Sequence, residues 1–273
     1  MWKRVAERYI HESALWPNLF PLISPPSQNS PSPPFLSLSF SFAPLPPQGA
    51  FHCYPRLFGG HGRFFPHFAK VEAWREARPR IAQYRSAMFA HVGLAAASDD
   101  ALTDHAGSIL FVLRRKYRCV VNEAALVDAI GSDAQLSRIV TFVRFEELSP
   151  KPLIGQLRVV LRASAIAGVH GQGLVWTSML SSTPSRGCAL YELIPSAMAK
   201  VNTHSKYDYY RWTRLNECGY KSVVVPDSPE CKGQYFRVCG NVTLPDLHAI
   251  MNDLKSVHAH VTKQKEMNAV SLH

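Results

Sequence analysis

The chain has 273 residues, enough for one large domain or two small ones, and a hydrophobic content of 47% supplies ample core. Its formal charge of +10 points to an anionic partner (nucleic acid, a membrane surface or a phosphorylated ligand) or to nothing more than a basic surface. No run of eighteen apolar residues occurs, so no membrane-spanning helix is readable, and prolines break the N-terminal apolar stretch that a signal peptide would need.

Residues 1–60 differ from the rest. From Ser13 to Pro55 there is no Asp, Glu, Lys or Arg, and more than half of the twenty prolines fall there. Ser24 to Pro34 is low-complexity, and the Phe35–Phe42 alternation of apolar residues with serine is bracketed by prolines. The segment reads as disordered or non-native in origin. The alternative, a Pro-rich docking tail, lacks the basic flanks common beside such ligands. Residues 61–106 read as one or two helices. Phe65, Phe68, Val71, Ala73 and Trp74 approximate a helical stripe, Pro79 interrupts it, and Ile81–Phe89 suits a second helix.

From Ser108 onward the pattern is α/β. Ser108–Leu113 is an apolar run of buried-strand type. Asn122–Ile130 has helical spacing with Gly131 as its stop, and Arg138–Val143 is the next strand. Pro152–Ala163 reads as a helix, Ser164–Val169 as a strand, Leu174–Leu180 as a helix and Cys188–Ile194 as a strand. Tyr207–Cys218 is helical, Tyr220–Val225 is a strand, and a last helix over Leu244–Val257 is opened by Pro245 and Asp246. Alternation at this spacing implies a doubly wound, mostly parallel sheet over 107–262, with 263–273 as a tail.

Ligands of such sheets bind at the carboxyl ends of the strands, and three of those ends collect polar residues. After the first strand come Arg114, Arg115, Lys116 and Arg118, then Asn122 and Glu123. Arginine's planar fork matches paired phosphate oxygens, although a solvated basic turn would look the same. After the third strand, Gly168-Val-His170-Gly171-Gln-Gly173 reads as a tight turn into a helix. That arrangement leaves backbone N–H groups and the positive helix end facing outward, which suits a diphosphate. His170 either shapes that turn or hydrogen-bonds a diphosphate or sugar hydroxyl. Glu192 is an acid inside an apolar strand, where a carboxylate needs a partner: a ribose diol or a salt bridge to an arginine.

The six cysteines form no CxxC, and no His pair has zinc-ligand spacing, so a structural zinc site is not expected. Cys231 and Cys239 flank a short Gly-containing segment and can close a small disulfide loop. Asn241-Val-Thr243 is a glycosylation sequon. Both features fit a secretory lumen, and both are common by chance.

Taken together, these motifs resemble glycosyltransferase family 61. The matching pieces run from about Ser108 to Leu254: Ile109–Arg115 with Arg118 and Asn122-Glu123, Phe145–Leu148 with Gln156, Gly168–Leu174, Tyr191–Pro195, and the Tyr209-Tyr210 to Val225 helix and strand. The family's turn usually reads His-Gly-Ala-Gly-Leu, and Gln172 departs from it. The resemblance implies a GT-B architecture of two Rossmann-like halves, with 107–262 as the C-terminal, nucleotide-sugar-binding half. Residues 61–106 would then be a helical remnant of the acceptor side, in an incomplete chain. It implies an inverting transfer of GlcNAc, xylose or arabinose from a UDP-sugar to a protein or polysaccharide hydroxyl. No cofactor is implied and a metal is not obligatory; the partners are the UDP-sugar and a glycan or glycoprotein acceptor, not nucleic acid. Membrane attachment and a Golgi or endoplasmic reticulum lumen are the family's expectation. Residue by residue, Arg114 or Arg115 and Arg118 would face the diphosphate, with Asn122 fixing that loop. His170, Gly171, Gly173 and Leu174 would form the diphosphate turn, and Glu192 would hold the nucleoside end. No catalytic base is assigned; Asp208 and Glu146 are candidates only in being acidic. The rival readings are a nucleotide-sugar-binding relic without catalysis and a basic polyanion-binding protein.

Overall fold

The computed structural model describes residues 85, 89, 108–115, 117–148, 152–180, 186–201, 208–231 and 240–270. The expected character of 1–60, and of 61–106 apart from Arg85 and Phe89, lies outside the described residues.

Five parallel strands form one sheet: β1 (Ile109–Val112), β2 (Val140–Val143), β3 (Ala165–Val169), β4 (Ala189–Pro195) and β5 (Gly219–Val225). Between and after them lie α1 (Glu123–Ser132), α2 (Leu136–Ile139), α3 (Pro152–Leu161), α4 (Ser196–Val201), α5 (Asp208–Leu215) and α6 (Leu247–Val270). Alternate strand residues feed two cores, because parallel strands joined by helical crossovers are covered on both faces. Ile109, Phe111, Ala165, Ala167 and Tyr191 face α1, α2 and α6. Leu110, Val112, Ile166 and Leu190 face α3, the 3₁₀ segment Gln172–Met179, Tyr209 of α5 and Cys218. The described domain is thus the α/β sheet, with helices on both faces, that the alternation of elements predicts.

Most element bounds shift by a residue or more, α4 was not expected, and four differences stand out. The strand expected over Arg138–Val143 begins at Val140, because Asp133 Oδ1 accepts the N–H groups of Gln135 and Leu136 and caps α2. Gly131 does not end α1, which continues to Ser132. The helix expected over Leu174–Leu180 is 3₁₀ and starts at Gln172. The last helix does not stop near Val257 but runs to Val270, through most of the expected tail. Asp246 Oδ1 accepts the N–H of Ala249 at its start, and Ile250, Leu254, Val257 and Val261 bury one stripe along it. Farther along, Gln264 accepts the N–H of Cys188 (3.0 Å) and donates to the Glu217 carbonyl (2.6 Å), tying α6 to the amino end of the sheet.

A disulfide joins Cys188 to Cys218, just before β4 and β5. Cys231 is also disulfide-bonded, and the Cys239 with which it was expected to pair lies outside the described residues. Arg85, helical and partly buried, donates to the Leu180 carbonyl (3.0 Å) and Asn216 Oδ1 (2.8 Å), while Phe89 packs on the second core. Among the described residues, no helix is long and apolar enough to cross a membrane.

Candidate functional site

The strand order β2-β1-β3-β4-β5 reverses direction between β1 and β3. From β1 the chain crosses to β2 on one side, and β3 follows on the other. The loops leaving the carboxyl ends of β1 and β3 therefore diverge and leave a crevice, the usual ligand position in such sheets. The β1 loop carries the arginines, and the β3 loop carries His170.

Glycines bring the two loops together. Gly168 stands in register with Val112, and a Cβ on it would lie 2.9 Å from the Val112 carbonyl oxygen. A Cβ on Gly173 would lie 3.0 Å from Val112 Cγ1. At Gly171, a Cβ would meet Arg114 Nη1 at 2.7 Å and Arg118 Nη1 at 2.9 Å. Both guanidinium groups therefore lie against one bare backbone position, and a side chain there would displace them. Arg118 Nη1 also donates to the His170 carbonyl at 3.0 Å. Arg118 itself has φ of 59°, a left-handed backbone that non-glycine residues rarely adopt.

The structure separates the expected site residues. Arg114 and Arg118 converge on Gly171, whereas Arg115 turns away. Its N–H donates to Glu146 Oε1 (3.1 Å), and its guanidinium, 68% exposed, pairs with Glu147 (2.5 Å). Asn122, where the loop meets α1, donates to the Leu244 carbonyl (2.8 Å) and accepts the Leu244 N–H (3.0 Å). Glu123 pairs with Arg144. Leu174 is buried beneath the turn, and its N–H returns to the Gly171 carbonyl (2.9 Å), so it supports the turn from within the core. The positive helix end expected after Gly173 is the start of a 3₁₀ segment, whose hydrogen-bond geometry is poorer than an α-helix's. Asp208 opens α5, and its side chain lies outside the described residues. Cys119, a free cysteine beside Arg118, has its thiol pushed up by burial, against the opposing pull of the Arg114 charge.

Glu192, expected to hold the nucleoside end, already has partners within the protein. Its side chain is 0% exposed, and both carboxylate oxygens are used within the protein. One is hydrogen-bonded with Nδ1 of His170, and the other accepts the Tyr220 hydroxyl at 2.6 Å. Its partner is a histidine rather than an arginine. The residues it bonds lie 22 and 28 positions away, brought together by the register of β3, β4 and β5.

Two tyrosines complete the site. Tyr209 sets its ring edge-to-face against His170, with centroids 4.9 Å apart, and its hydroxyl donates to the Gly171 carbonyl at 2.6 Å. Tyr220 donates its hydroxyl to Glu192. Neither role is readable from local sequence, since Tyr209 falls in a helix and Tyr220 in an edge strand, each far along the chain from its partner. The arrangement provides two arginine forks, a backbone turn without a side chain, and an oriented imidazole: a site suited to an anion carrying several oxygens. No protein-family model matches the chain, and comparison with curated proteins returned no significant match.

Proposed function

We propose that this domain binds the diphosphate of a UDP-sugar in the crevice between β1 and β3, as the donor half of a GT-B glycosyltransferase of the family 61 kind. The carrying observation is the convergence of Arg114 and Arg118 on Gly171 at the switch point of the sheet, beside His170. Charge-assisted arginine bonds to phosphate are about twice as strong as neutral ones. They would strengthen further as the anomeric C–O bond breaks and negative charge grows on the departing UDP. Donors placed where charge develops favour the transition state over the bound substrate. An acceptor hydroxyl would also need a base. Glu146 accepts the Arg115 N–H and is a poor candidate for that role. The Cys188–Cys218 disulfide supports residence in an oxidising compartment such as the secretory lumen.

Calorimetric titration of the full chain with UDP, UMP and inorganic phosphate, at two salt concentrations, tests the reading. The expected result is UDP binding well above UMP, because the second phosphate adds the arginine contacts. Equal affinities that fall steeply with salt would overturn it in favour of a general polyanion binder. UDP binding with no donor hydrolysis and no transfer to glycan or glycoprotein acceptors would identify a nucleotide-sugar-binding module without catalysis.

A further inference from the structure

A fully buried carboxylate in the middle of a parallel sheet is an expensive way to fill space. Desolvating a charge costs several kcal/mol, and apolar residues of the same volume often do as well or better. Both oxygens of Glu192 are nevertheless satisfied, by two residues from different strand segments. The arrangement continues outward from there. The His170 N–H donates to the Leu193 carbonyl (2.8 Å), the His170 carbonyl accepts from Arg118, and Tyr209 packs on the ring. Gly168, in register with Glu192 on the adjacent strand, places no side chain beside it. His170 is thus held at backbone, ring and Nδ1, with 7% of its side chain exposed.

An ionised carboxylate only accepts, which assigns the ring proton to Nδ1 in the arrangement proposed below. Nε2 is then the one polar atom of the ring left for a ligand, and among the described residues nothing bonds it. A carboxylate behind a histidine, fixing tautomer and ring angle, is the same physical device that orients metal-ligating and catalytic histidines.

We propose that Glu192 and Tyr220 are positioning residues that act on a bound diphosphate only through His170, and that neither touches the nucleoside. The role rests on the diphosphate reading above. Glu192 holds Nδ1, Tyr220 holds Glu192, and Nε2 meets the phosphate oxygens.

The test compares UDP with inorganic diphosphate, which has no nucleoside, on the full chain. Glu192→Gln, which preserves shape, weakens both ligands by the same factor, about tenfold. Tyr220→Phe weakens both by a smaller common factor. Adding Glu192→Gln to His170→Ala weakens binding no further than about twofold, because the two residues act as one unit. A loss confined to UDP, or a double-variant loss equal to the product of the single losses, overturns the proposal. A second measurement needs no ligand: ¹⁵N-histidine spectra of the wild-type chain show His170 protonated at Nδ1, and Glu192→Gln removes that preference. Protonation at Nε2 alone in the wild type overturns the relay. If the wild type binds neither UDP nor diphosphate, the diphosphate reading falls and this role falls with it, while the spectra show separately whether the His170–Glu192 geometry holds.

Discussion

At the amino ends of β4 and β5 the chain is stapled. Cys188 and Cys218 are bonded, Gln264 of α6 bridges to Cys188 and Glu217, and a Cβ on Gly187 would lie 2.2 Å from the Val261 carbonyl oxygen. At the carboxyl ends of β1 and β3 the contacts are polar: arginine against bare backbone, a buried His–Glu–Tyr chain, and a bracket from Asn122. Each end also holds one non-glycine residue with a left-handed backbone, and these two residues have different causes. Glu217 (φ 58°) ends α5 in a Schellman turn, with the Cys218 N–H returning to the Thr213 carbonyl at 2.8 Å. Arg118 (φ 59°) ends no helix and is held by its bond to the His170 carbonyl. Backbone strain away from a helix stop, placed where two guanidinium groups converge, is what the proposed site would call for rather than a structural terminus. One end of the sheet holds the fold, and the other positions charge.

That division sets out what variants should do. The largest effect belongs to the staple. Opening the 30-residue Cys188–Cys218 loop with Cys188→Ala and Cys218→Ala costs about 3–4 kcal/mol from loop entropy, seen as a lower denaturant midpoint. UDP affinity of the folded fraction should stay unchanged; a parallel loss of affinity would break the division. Next is Gly187→Ala, which forces a methyl group into the α6 backbone and costs about 3 kcal/mol in the same assay. Gly219→Ala should cost less, because the atoms it meets belong to the His260 ring, which can turn aside.

At the other end the sign of the comparison reverses. Arg118→Ala should weaken UDP binding by about 10- to 100-fold, the worth of one charged hydrogen-bonding group, with little change in the denaturant midpoint. Glycine sharpens the contrast between the two left-handed positions. Arg118→Gly and Glu217→Gly should each be about 1 kcal/mol more stable than the matching alanine variant, since glycine carries no penalty at positive φ. Only the change at 118 should lower UDP affinity in calorimetry.

The smallest effect is electrostatic. The Lys255 hydrogen bond holds the Asp133 carboxyl below its usual value, tying α2 to α6. A depressed carboxyl contributes stability above its unfolded value and loses it as the pH falls through the folded one. Lys255→Met should therefore lower the thermal midpoint slightly at neutral pH, and the gap should close in acid. A gap that widens in acid would overturn the assignment of that pair.

Much of this fold is legible in residue patterns because burial on both faces leaves a direct trace. Ile109–Val112 and Ala165–Val169 read as strands since every position in them is apolar or glycine, and in the structure every one is buried. The start of β2 was not legible, because Arg138 and Ile139 carry strand-like neighbours, while the Asp133 cap that winds them into α2 acts from outside the run. The end of α6 was not legible either: beyond Val261 its anchor is Gln264, a polar residue whose partners are 76 and 47 positions away. The Cys188–Cys218 pairing was equally out of reach, since six cysteines allow fifteen connectivities and spacing alone selects none. In the site, Arg114, Arg118, His170 and Gly171 stood out as arginine, histidine and glycine at strand ends. As site residues Tyr209 and Tyr220 did not, because each bonds a residue 38 or 28 positions away.

By itself, the sequence determined the alternation of helix and strand, the carriers of positive charge and the glycines that admit close approach. These are local properties, written in the periodicity of side chains and in missing Cβ atoms. The tertiary structure alone decided that Arg114 and not Arg115 faces Gly171, and that the Glu192 carboxylate lies behind His170. Those outcomes depend on strand register and on the switch between β1 and β3. Register moves side chains by ångströms relative to distant partners without altering any local pattern.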